Sequence, residues 1–258
     1  MRKDSTRQIV NVVAVIATLV VNGLANALPF NGRSTGAISD SFHVYFVPAG
    51  YVFAIWGVIY IGLLAFAVFQ ALPSQAANPR LRRVGYLFAL SCLLNMAWLF
   101  LWHYEQFLLT IVVMLLLLLS LIAIYLLLGI GRGQVSRAEA WCVRATFSVY
   151  LGWITVATLA NATDVLNYLG WNGAGLQPAL WAAILLLVAA AITVAVIFTR
   201  GDVGYTLVIV WAYIGIAVKQ AATSLVAVTA AVLVVAIVAA LVLGLRRRWA
   251  AGTHAPAS

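Results

Sequence analysis

The chain is poor in charge, in acidic groups above all, and in the residues that build metal or redox chemistry. Only 8% of its 258 residues are charged, and six of them are Asp or Glu. Soluble domains carry about 25% charged residues, so a chain with so few is not built to fold in water. Two cysteines and three histidines give no disulfide framework and no metal-ligand cluster of the usual kind. Cys92 and Cys142 fall in different apolar stretches and read as small packing residues. The acids, Asp4, Asp40, Glu105, Glu139, Asp164 and Asp202, all lie at the ends of apolar stretches or between them. That placement argues against a mid-membrane counter-ion for a retinal Schiff base and against the carboxylate relay of an ion-coupled transporter. Lys219, at the end of its stretch, reads as a lysine that snorkels to the interface.

What the chain has in excess is hydrophobic residues, 65% of the total, with a mean hydropathy of +1.07. Apolar runs long enough to cross a bilayer, about 17–25 residues each, cover Ile9–Leu28, Ala49–Leu72, Val84–Trp102, Phe107–Ile130, Trp141–Asn161, Pro178–Thr199, Val203–Val218 and Leu225–Leu245. The fold class is therefore all-α, a polytopic membrane bundle of about eight helices. The first stretch follows a basic segment as a signal peptide would. Leu28, Pro29 and Phe30 are too bulky for a cleavage site, and it reads as a retained helix.

The net charge of +9 is distributed by side rather than gathered into a nucleic-acid patch. Arg2, Lys3, Arg7, Arg80, Arg82, Arg83, Arg132, Arg137, Arg144, Arg200 and Arg246–Arg248 fall on one side of the eight stretches, and only Arg33 and Lys219 on the other. The positive-inside rule then places both termini in the cytoplasm. The expected location is the bacterial cytoplasmic membrane, with anionic headgroups and not nucleic acid as the partner of the basic side chains.

Two connections on the far side are long: Pro29 to Pro48, rich in Gly, Ser and Thr, and Ala162 to Gln177, rich in Asn and Gly. Long loops on a compact bundle are commonly functional. Gln177 and Pro178 read as a helix start, and the GIGRG run at Gly129–Gly133 as a turn, since no strand precedes it. His103 beside Glu105 reads as an interfacial pair.

Three stretches carry aromatic or amide side chains at helical spacing: Phe53, Trp56 and Tyr60; Asn95, Trp98 and Trp102; Tyr150, Trp153 and Asn161. Offsets of three, four and seven put each set on one face. An amide or indole N–H facing lipid has no partner, so these faces turn inward. They line an aromatic cavity or serve as interhelical packing, with the two Asn side chains as hydrogen-bonding glue.

The segments PAGYVFAIWGVIY (Pro48–Tyr60), LNMAWLFLW (Leu94–Trp102) and VYLGWITVATLAN (Val149–Asn161) resemble the TspO/MBR family, the tryptophan-rich sensory proteins related to the translocator protein, or peripheral benzodiazepine receptor. The family's W-x-x-x-Y is matched by Trp56 and Tyr60, and its N-x-x-W by Asn95 and Trp98. Its Tyr, Trp and Asn of the fifth helix are matched by Tyr150, Trp153 and Asn161. The resemblance spans roughly Ile9 to Asn167, so the chain reads as an extended member: a five-helix bundle over 1–167, a three-helix extension over 168–248, and a short cytoplasmic tail over 249–258. Departures cluster at the cavity mouth. Pro48 is followed by Ala49 instead of a second proline, His43, Tyr45 and Phe46 stand where a loop tryptophan and lysine are expected, and Val149 replaces a proline.

The resemblance implies a receptor, sensor or transporter for planar apolar ligands such as porphyrins, haem or sterols. Its ligand-binding residues would be Phe53, Trp56, Tyr60, Asn95, Trp98, Tyr150, Trp153 and Asn161, under a loop lid of His43, Tyr45, Phe46 and Pro48. No cofactor is required; porphyrin or haem would enter as ligand, with His43 as a conceivable axial ligand. No catalytic pair is legible. Porphyrin breakdown at the same pocket and a non-binding membrane scaffold remain the alternative readings, and a homodimer is a candidate assembly.

Overall fold

The computed structural model describes residues 2–28 and 30–253, so Pro29 at the start of the first long loop and residues 254–258 of the tail lie outside the described residues. Eight long helices make up the described chain, and no strand occurs in it. They are α1 (Arg2–Ala27), α2 (Ile55–Ala71), α3 (Leu87–His103), α4 (Phe107–Leu127), α5 (Thr146–Tyr168), α6 (Pro178–Arg200), α7 (Val203–Lys219) and α8 (Ser224–Thr253). Six helical segments are long and apolar enough to cross a membrane, while α3 and α7, 17 residues each, fall just short. At about 1.5 Å per residue such a helix still covers about 25 Å, near the thickness of the hydrocarbon core.

Local sequence explains the boundaries. Pro178 occupies the first turn of α6, and Gly201 ends that helix in the left-handed region at φ 63°. Asp202 caps α7, its Oδ1 accepting from the Tyr205 N–H at 3.1 Å. A π turn at Ala140–Ala145 leads into α5. The Gly129–Gly133 run is a turn, as the sequence indicated, and Gly131 (φ 77°) is packed so tightly on the Arg200 backbone that any Cβ would collide with it.

The packing order is simple. Helix α1 lies against α2 and α3, α3 against α4, and α4 against α5. Helix α7 runs along α5 and also meets α6 and α8, so the three C-terminal helices join the first five chiefly through α7. A single buried cluster extends from Val15 in α1 through Trp153 in α5 to Leu241 in α8. Helix α8 extends the chain's helical part to Thr253, so residues 249–253 continue that helix.

Close approach depends on small residues, as expected where lipid supplies no hydrophobic drive between helices. A Cβ on Gly152 of α5 would lie 3.0 Å from the Tyr205 carbonyl oxygen of α7, and one on Gly62 of α2 would lie 3.0 Å from Thr146 Oγ1 of α5. Gly215 of α7 receives the Val52 side chain directly, and its carbonyl accepts from the Ala49 N–H at 3.1 Å.

Ionic contacts sort the two ends of the bundle. At one end Arg82 makes a bidentate pair with Asp4 (2.8 and 2.6 Å) and Arg80 with Glu139 (2.6 and 2.9 Å). Arg144 donates to the Gly133 and Arg132 carbonyls, and Arg200 to that of Ile130. At the other end Arg33 pairs with Glu105 at 2.7 Å and Lys219 with Asp40 at 2.8 Å. Glu105 thus serves Arg33, not His103. His103 is fully buried, its Nδ1 2.9 Å from the Leu99 carbonyl oxygen and its Nε2 3.4 Å from Thr35 Oγ1.

These contacts give a direct test of packing. Gly152→Leu is expected to cost about 1–3 kcal/mol by overpacking the α5–α7 seam, read as a lower unfolding midpoint in detergent. Gly57→Ala, which meets nothing within 4 Å, is expected to leave the midpoint unchanged or raise it.

Candidate ligand-binding site

The aromatic faces of α2, α3 and α5 converge toward one another. Trp56 stacks on Tyr60 at a centroid distance of 5.6 Å and meets Trp153 edge-on at 6.2 Å and Tyr150 at 6.1 Å. Phe53, in the 3₁₀ turn that leads into α2, meets Trp153 edge-on at 5.5 Å. Between these rings and α1, α3 and α4 lies a cavity of about 320 Å³, lined by Phe53, Trp56, Tyr60, Asn95, Trp98 and Trp153 among others. Pro48, Thr35, Gly36, Ser39 and Asp40 close it from the loop side.

Its polar inner wall is a hydrogen-bonded chain. Tyr60 OH donates to Asn22 Oδ1 at 3.0 Å, Asn22 Nδ2 donates to Asn95 Oδ1 at 2.9 Å, and Asn95 Nδ2 donates to the Tyr150 hydroxyl at 3.1 Å. Asn22 Nδ2 also reaches the Thr18 carbonyl at 2.9 Å. Sequence reading overlooked Asn22, although Thr18, Asn22 and Asn26 repeat at four-residue intervals along α1. That signal was available to the periodicity that picked out the other stripes.

Two of the sequence-derived site residues stand off the cavity itself. Tyr150 is buried behind Asn95 and Trp56 and supports the wall. Asn161 accepts from the Trp98 indole at 3.3 Å and donates to Thr110 at 2.9 Å, and it lines an adjoining cavity of about 50 Å³. This smaller space shares Thr35, Ser39, Pro48, Phe53, Trp98, Trp153 and Ala157 with the larger one, and Trp102 and Asp164 are among the residues that line it alone. Trp102 stacks on Trp98 at 5.3 Å and its indole donates to the Thr35 carbonyl at 3.2 Å, tying the first long loop to α3.

The loop is divided in function. Pro48 borders the central cavity, but His43, Tyr45 and Phe46, expected above the same space, line a separate one of about 250 Å³ with Trp171 of the α5–α6 connection and Trp181 of α6. The segment divides after the bend at Tyr45–Phe46: Val47 and Pro48 contribute to the small cavity, and Val44–Phe46 to the separate one. No histidine or cysteine lines the central or adjoining cavity. The residues there do not fit an axial imidazole or thiolate ligand to haem iron. Among the described residues no group of three or more His, Cys, Asp or Glu side chains is placed to hold a metal ion.

Burial also changes the reading of the acids. Glu139 and Asp202 join helices, as the sequence indicated, while Asp164 lies inside α5, which runs on to Tyr168; all three are buried. Asp202 is fully used: besides capping α7 it accepts from Tyr125 OH and Ser148 OH, each at 2.7 Å.

Such a constellation defines a polytopic helical membrane protein with an aromatic, amide-walled cavity inside its bundle. A family model described as TSPO-like protein matches residues 8–243, and the chain belongs to that family. The match continues past Asn167, where the motif likeness ends, through most of α8. Neither the curated proteins nor the solved structures include a significant match.

Asn95 is the test of the wall. Asn95→Ala strands Tyr150 OH and one side of the Asn22 amide, and is expected to cost about 1–3 kcal/mol in detergent unfolding. Combined with Tyr150→Phe, the total cost should fall short of the sum of the two single changes, because both remove the same bond.

Proposed function

We propose that this protein binds a planar apolar ligand in the central cavity and acts as a membrane receptor, sensor or carrier for it. The observation that supports the reading is the convergence of Phe53, Trp56, Trp98 and Trp153 from three segments on one cavity of about 320 Å³. Indole and phenyl faces stack on flat rings, while Asn95 and Tyr60 fix orientation from one wall. Small-molecule sites commonly span about 300–1,000 Å³, so this one favours compact ring systems. A tetrapyrrole would enter by displacing the loop segment at Thr35–Asp40. Porphyrin, haem or a sterol would bind through ring contacts, without iron ligation by histidine. The aromatic faces on the cavity suit stacking of a flat ring, and binding is the reading we adopt.

Orientation follows from the sorted ends. The arginine-rich end, with Arg80, Arg82, Arg144 and Arg200, faces the cytoplasm, and the Asp40–Lys219 end faces outward. Both termini are then cytoplasmic.

Titration with a porphyrin tests the binding reading. Tryptophan fluorescence should quench saturably at micromolar ligand, and Trp56→Ala and Trp153→Ala should each weaken binding by about tenfold or more, as expected for lost aromatic anchors. Quenching that is absent, or that survives both changes, would leave the cavity as packing; light-dependent loss of porphyrin absorbance would favour chemistry. Reporter fusions at each terminus are expected to report the cytoplasm in both cases.

A further inference from the structure

Two polar groups within the site have no hydrogen-bond partner among the described residues. Trp153 is 2% exposed and Asp164 3% exposed. The Trp153 indole Nε1 and the Asp164 Oδ1 are buried without a hydrogen-bond partner among the described residues. Both residues line the small cavity that adjoins the central one. A buried carboxylate without a counter-charge is costly. Asp202 shows the alternative within the same molecule, with its carboxylate satisfied by a helix N–H and two hydroxyls.

Neither cavity offers a counter-charge. Among the described residues no Lys, Arg or His lines them, and the carboxyl groups on their walls are those of Asp40 and Asp164. Lys219 is the cation whose charge acts on Asp164, but its ammonium donates to Asp40 at 2.8 Å. The shared wall of Phe53, Trp98 and Trp153 adds aromatic faces beside the carboxylate, and such faces attract cations.

We infer that the small cavity is a cation-selecting subsite: a ligand with its ring in the central cavity places a protonated nitrogen against Asp164, next to the Trp153 indole N–H. The inference rests on the aromatic-cavity reading above and specifies its ligand class as a planar apolar ring bearing an amine. A ligand carboxylate at the same point would meet an ionised Asp164 as a like charge, whereas an ammonium favours that ionised form. The acid groups of a porphyrin would have to point away from it.

The test compares three probes of one ring system on the full chain in nanodiscs of zwitterionic lipid: 9-(aminomethyl)anthracene, 9-(hydroxymethyl)anthracene and 9-anthracenecarboxylate. Energy transfer from tryptophan reads binding. The amine should bind at least about tenfold more tightly than the alcohol, as for a charge pair formed away from bulk water, and the carboxylate most weakly. Asp164→Asn should bring the amine to within about twofold of the alcohol. Equal affinities in the unmodified protein would overturn the inference, whether or not the variant folds. So would an amine preference that survives Asp164→Asn. Failure of all three probes to bind saturably would contradict the aromatic-cavity reading itself, and this inference with it.

Discussion

Asn22 and Asn95 face each other across α1 and α3 at 2.9 Å, and through Tyr60 and Tyr150 they engage α2 and α5 as well. In a bundle surrounded by lipid these amides and hydroxyls have no water to fall back on. Four helices must therefore hold the rotation and depth at which the chain of bonds closes. Once they do, Trp56 and Phe53 meet Trp153 edge to face, and Trp98 faces the same space from α3. The cavity follows from satisfying the polar groups, because large rings held by neighbouring amides cannot also collapse onto one another.

The three C-terminal helices take part in the same arrangement. Gly215 of α7 accommodates Val52, and the Trp211 indole donates to the Val52 carbonyl at 3.1 Å. Those contacts hold the turn that presents Phe53. At the N-terminal end of α7, Asp202 joins α4, α5 and α7 through Tyr125, Ser148 and the Tyr205 N–H. The extension therefore buttresses the segment at the cavity mouth.

Much of this was legible. Long apolar runs fixed the helices, because hydrocarbon thickness sets their length, and the three-four-seven spacing found the faces that carry Trp56, Trp98 and Trp153. The exceptions have identifiable causes. Asn22 sits in a stretch with no aromatic residue to draw notice, although its four-residue repeat was present. Glu105 lies two residues from His103, too close in sequence to meet it across a helix end, and a distant Arg33 takes its place. The burial of Asp164 comes from α5 running a full two turns past Asn161, which brings that carboxylate beneath the loop at Val47–Pro48. Likewise the split of His43–Phe46 from Pro48 depends on how two long loops meet, a non-local contact that periodicity does not encode.

The central claim is that the ligand sits among α2, α3 and α5, not in the separate cavity between His43–Phe46 and the α5–α6 connection. Photolabelling with a planar diazirine-bearing aromatic ligand, followed by peptide mass spectrometry, addresses it directly. Adducts within residues 53–60, 95–102 and 150–161, competed by excess unlabelled ligand, are the predicted result. Competed adducts confined to residues 43–46 and 166–185, the walls of the separate cavity, would contradict the account.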